Sequence, residues 1–148
     1  MNQQEIRFHI LYYLYNKHSM GQIGKYQSAD DIIKETELNG IDRNLIDYEF
    51  VYLNNSGYIK GQRDTSDGGM PYSVVITKSG IEIVENISQQ IITYIDKQHP
   101  HDNIDNELVS IKNETNQNTR TNKIWEYVKS KPELFMNIGE KILSGSFR

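Results

Sequence analysis

The sequence predicts a mainly α-helical fold with a small β-hairpin, an α+β arrangement, followed by a C-terminal helical segment. Three observations carry this. Apolar residues recur at helical spacing in several stretches before residue 98, as in Ile46-x3-Phe50-x2-Leu53. Two short β-prone runs, beginning at Tyr58-Ile59 and at Val74-Val75-Ile76, flank a stretch rich in Asp, Gly and Pro. The composition then turns asparagine-rich after His99, and apolar spacing returns around Trp125. The expected organisation is a domain over 1–98, a linker over 99–120 with room for a short strand or helix at Leu108–Ile111, and a helical segment over 121–148.

The first helix is expected from Glu5 to His18, with Ile6, Ile10, Leu11 and Leu14 at helical spacing. Little charge and flanking tyrosines imply burial on more than one side. Ser28 opens a second helix as its cap, and Asp30 and Asp31 suit the positive end of the helix dipole. Asn39-Gly40 marks a turn. Asp42 caps a third helix that runs to about Ser56, with Ile46, Phe50 and Leu53 inward and Gly57 as the stop. Strands follow near Tyr58–Gln62 and Tyr72–Thr77, joined by a loop from Arg63 to Pro71. Thr77 caps a fourth helix.

Along that fourth helix Ile81, Val84, Ile87, Ile91 and Ile95 form a stripe of about five turns. The stripe packs back on the first helix or pairs with a second copy. Its length favours the second, so Val84, Ile87, Ile91 and Ile95, with Trp125, are the expected homodimer interface. Beyond the linker, Ile124, Trp125 and Val128 form one face. Leu134, Phe135, Ile138 and Ile142 form another, after Pro132 restarts a helix.

Composition narrows the function classes. The chain has 16 basic and 20 acidic residues, so general affinity for nucleic acid is not its dominant property. It has no cysteine, which removes disulfides, thiol catalysis and zinc ribbons. No signal-like leader or membrane-spanning stretch is read, which points to the cytoplasm and no membrane partner. A single alanine, Ala29, amid abundant Ile, Asn, Lys and Tyr reads as the codon bias of an AT-rich archaeal or low-GC prokaryotic genome. No phosphate loop or nucleophile elbow appears, and His99-Pro100-His101-Asp102 is a weak metal motif in a linker. No catalytic residue, metal or cofactor is expected, and the chain reads as a non-enzyme.

The order from Ile46 to Val84 is helix, glycine stop, strand, loop, strand, helix. It resembles the second half of a winged helix-turn-helix domain, as in the MarR-like and PadR-like prokaryotic regulators, and the likeness covers roughly residues 5 to 97. The resemblance implies a DNA-binding transcriptional regulator whose third helix enters the major groove. The residues it places toward DNA are Lys25, Arg43, Asn44, Asp47, Tyr48, Lys60 and Arg63. Arg43 and Asn44 suit base edges, and Tyr48 suits a phosphate.

The charges complicate that role. Asp47 faces the groove with a carboxylate, Glu49 adds a second negative charge nearby, and Asp64 and Asp67 offset Arg63 in the wing. DNA affinity is therefore expected to be modest and salt-sensitive. The alternative is a winged helix used as a protein-interaction module, through this acidic face or the C-terminal segment. Residues 120–148 carry a net charge of +3, against −4 for residues 1–98.

Overall fold

A computed structural model describes residues 1–21, 24–62, 71–98 and 106–146. The chain divides into two compact units, Met1–Val84 and Glu85–Arg148. The boundary falls inside the fourth helix and not at residue 98. The described residues are mainly helical with one small antiparallel sheet, as the sequence predicts.

The first unit begins with α1 (Gln3–Ser19), which starts two residues earlier than expected because Asn2 caps it. The Asn2 carboxamide oxygen accepts the Glu5 N–H at 2.8 Å. Ile6, Phe8, Ile10, Leu11, Tyr12, Leu14 and Tyr15 are all buried, so α1 is enclosed on most sides, as its low charge implied. It packs on α3 and on the third strand.

A two-residue strand, β1 (Gln27–Ser28), then leads into α2 (Ala29–Lys34). The strand was not anticipated, since two residues carry no readable alternation. The Ser28 hydroxyl accepts the Asp31 N–H at 3.3 Å, as expected of a cap. After a turn through Gly40, α3 (Arg43–Asn55) is capped by Asp42, whose carboxylate accepts the Asn44 N–H at 2.9 Å. Gly57, at φ +82°, ends α3 and turns the chain into β2 (Ile59–Gln62).

The strands stand in the order β1-β3-β2, with β3 (Ser73–Ile76) antiparallel to both. Gln27 opposes Val74, and Ile59 opposes Ile76. Ile59, Val74 and Ile76 turn inward, the period-2 alternation of a sheet with one covered face.

Thr77 then joins the sheet to α4 (Lys78–Gln98). Its hydroxyl lies 2.6 Å from the Gly57 carbonyl oxygen and 3.0 Å from that of Tyr58, and accepts the Gly80 N–H at 3.1 Å. One side chain thus caps α4 and ties its start to the end of α3. Gly80 has no room for a side chain: a Cβ there would sit 2.2 Å from the Tyr58 carbonyl oxygen.

The second unit carries the rest of α4, then α5 (Asn106–Asn113), α6 (Gln117–Lys129) and α7 (Pro132–Ile138). A wide π-type turn over Gly139–Leu143 and a last helical turn, Ser144–Ser146, follow α7. The stretch expected as a linker therefore holds all of α5 and the start of α6. Two local causes override its polar composition. Leu108 and Ile111 bury on one face of α5, and Asn116 caps α6 by accepting the Thr119 N–H at 3.0 Å. Within this unit Trp125 is 2% exposed and meets Phe135 edge-on, with ring centroids 5.6 Å apart. The single tryptophan thus has its partner in the adjoining helix.

Candidate nucleic-acid interface

Helix α3 presents two faces. Ile46, Phe50 and Leu53 are fully buried. Burying each is worth about 1.5–3 kcal/mol, against about 0–1 kcal/mol for an exposed ion pair. The core therefore sets the orientation of α3, and its outward residues follow from that.

Glu49 departs from the expectation. It does not face outward: it is 0% exposed and forms a salt bridge with Arg7 of α1. Its second oxygen, Oε1, is buried with no hydrogen bond among the described residues. The Arg7 guanidinium also lies over the Tyr52 ring, 3.6 Å from its centroid. The spacing Ile46-Glu49-Phe50-Leu53 places position 49 on the inward face, so its burial follows from periodicity. The assumption that a carboxylate seeks solvent hid it.

The outward face holds Arg43, Asn44, Leu45 and Tyr48, with Asp47 partly covered. Leu45 is 50% exposed and Tyr48 60%. Arg43 is not free. Its Nε donates to Asp47 Oδ1 at 2.7 Å, and its Nη1 donates to Asp30 Oδ1 of α2 at 2.8 Å. The Asp47 hydrogen bond is the main reason the guanidinium holds its proton more tightly than usual; partial burial opposes it and Asp30 adds to it. Asp47, expected as a bare carboxylate, is thus engaged by Arg43. Asp30 was read only as a residue suited to the helix dipole. Its contact with Arg43 spans 13 positions and depends on how α2 and α3 meet.

Lys25 is exposed just before β1, and Lys60 is exposed on β2. The order β1-β3-β2 puts uncharged β3 (Ser73, Val74, Val75, Ile76) between their strands. Arg63, Asp64 and Asp67 lie outside the described residues, as does His99-Pro100-His101-Asp102. Among the described residues no His, Cys, Asp or Glu cluster could hold a metal ion. No helix among them is long and apolar enough to cross a membrane.

The residues assigned to a dimer interface are covered within the chain itself. Val84, Ile87, Ile91 and Ile95 are at most 1% exposed, and Trp125 is 2% exposed.

No protein-family model, curated protein or solved structure matches this chain.

Proposed function

We propose that this chain is a winged-helix DNA-binding protein acting as a transcriptional regulator in the cytoplasm. One observation carries the reading: the exposed side of α3 presents hydrogen-bonding side chains at its first turns, Arg43, Asn44 and Tyr48, on a helix whose other side is locked into a core. The element order of the first unit and the three-stranded sheet support the winged-helix likeness. Burial of Glu49 removes one of the four carboxylates that argued against an approach to phosphate.

The role is tested by electrophoretic shift of genomic fragments, including the chain's own upstream region, at low salt. Arg43→Ala with Asn44→Ala abolishes the shift and leaves the circular dichroism spectrum unchanged. Binding weakens with salt, at about one unit of log–log slope per phosphate contacted. If no genomic fragment shifts at low salt, the DNA reading fails.

A regulator of this kind would act as a homodimer reading a pseudo-palindrome. Because the α4 stripe is already covered, pairing would use another surface. Light scattering at micromolar concentration checks this, and a monomer mass removes the dimer.

A second reading, a protein-docking module, draws on Arg43 being engaged by two carboxylates while Leu45 and Tyr48 stand exposed beside it. It expects Leu45→Asp and Asp47→Lys to release a protein partner in pull-down. Retention of every partner would exclude it.

A further inference from the structure

The geometry points to Arg43 as the specificity-determining residue of this interface, held in position by Asp30 and Asp47 so that its free guanidinium edge takes a guanine in duplex DNA. The inference rests on the DNA-binding reading above.

A guanidinium has five N–H donors in a rigid planar fork. Asp47 engages the Nε–H and Asp30 engages Nη1, at 2.7 and 2.8 Å. Three N–H groups remain, on Nη1 and Nη2. Guanine offers O6 and N7 as adjacent acceptors in the major groove, which such a fork matches with two hydrogen bonds. An arginine bonded to carboxylates on two helices has fewer rotamers open to it, so ordering it opposes binding less.

The charge balance separates this role from a phosphate contact. Arg43 with two aspartates carries a formal net charge of −1. Such a cluster is a poor phosphate clamp, because that contact depends on net positive charge. A base edge is read by directional hydrogen bonds, which the carboxylates strengthen by fixing the plane of the fork. Nor does stability account for the arrangement. Side-chain exposures of 49% for Arg43 and 79% for Asp30 describe a surface ion pair, which holds a fold together only weakly. Arg43 is the first residue of α3, where recognition helices contact bases.

The roles of Asp30 and Asp47 have a signature of opposite signs. Removing either negative charge raises affinity for DNA of any sequence, while freeing the fork lowers preference for guanine.

The test is selection from a random duplex pool with the full chain. Titrations follow, on duplexes that carry G·C or A·T at the enriched position. The wild type is expected to prefer guanine by about tenfold or more. Asp30→Asn and Asp47→Asn bind mixed-sequence duplex more tightly but retain only about a twofold preference. Arg43→Lys keeps the positive charge and loses the preference. If the aspartate variants bind selectively as before, or Arg43→Lys keeps the preference, the inference is overturned while DNA binding stands. If the wild type enriches no sequence and binds no duplex, both readings fall. Circular dichroism on each variant confirms that the fold is intact.

Discussion

Arg7 of α1 and Glu49 of α3, 42 positions apart in sequence, form an ion pair with both side chains withdrawn from solvent. It joins the two helices that flank the core of the first unit. The pair is imperfectly satisfied, since Glu49 Oε1 is buried without a hydrogen bond among the described residues. Arg7→Ala leaves the carboxylate buried and alone, and is expected to cost about 3–5 kcal/mol. Replacing both partners by apolar residues, as in Arg7→Met with Glu49→Leu, recovers most of that loss. Urea denaturation of the single and double variants measures the coupling. If the two single losses simply add, Arg7 and Glu49 do not act as a pair.

Gly80 is fixed by space. A Cβ there meets the Tyr58 carbonyl oxygen at 2.2 Å and Ile76 Cγ1 at 2.7 Å, so backbone must move to admit it. Gly80→Ala is expected to destabilise the chain by about 1–3 kcal/mol, an overpacking cost. Gly145, where a Cβ meets nothing within 4 Å, is the control, and Gly145→Ala is near neutral. Thermal melts of the two variants side by side distinguish steric exclusion at Gly80 from a general loss of glycine flexibility.

Tyr13 donates a hydrogen bond to Glu35. Burial, then that hydrogen bond and the Glu35 charge, raise its pKa above the usual value of about 10. The folded chain therefore keeps the phenol proton to higher pH than the unfolded chain does. The associated stability is fully present below about pH 10 and is lost as pH rises beyond it. Ultraviolet titration should reveal a late-ionising tyrosine that Tyr13→Phe removes. The same substitution should flatten the fall in stability above about pH 10. An unchanged titration curve would assign the late ionisation elsewhere.

Trp125 is a natural fluorescent reporter in the second unit. At 2% exposure, with Phe135 edge-on, its emission should be blue-shifted and resistant to iodide quenching. Phe135→Ala opens one side of the ring and shifts the emission to the red. Trp125→Ala should cost about 3–5 kcal/mol in the stability of that unit. If Phe135→Ala leaves emission and quenching unchanged, the two rings are not packed in solution.

Much of the first unit was legible because its signals are local. Ser28, Asp42 and Thr77 each cap the helix expected of them, and Gly57 stops α3 where the pattern places it. A cap bonds an N–H two or three residues ahead, so no distant part of the chain can alter it. The inward set Ile46, Phe50 and Leu53 follows from helical period in the same way. Strand β1 was hidden because a two-residue strand is defined by its neighbour, β3, and not by its own alternation. Helix α5 was only half legible: Leu108 and Ile111 admitted a short strand or a helix in the polar stretch, and burial of both on one face decided for a helix.

By itself, then, the sequence determined the caps of α2, α3 and α4, the hairpin strands and the side of α3 that enters the core. Those depend on near-neighbour geometry and on the exclusion of apolar surface from water. Only the tertiary structure decided what the charges do. It buried Glu49 against Arg7, and it set Asp30 of α2 beside Arg43 of α3. An ion pair acts over a few ångströms, and which groups come that close is settled by packing. The residue types at positions 30, 43, 47 and 49 name the charges, and the fold alone assigns their partners.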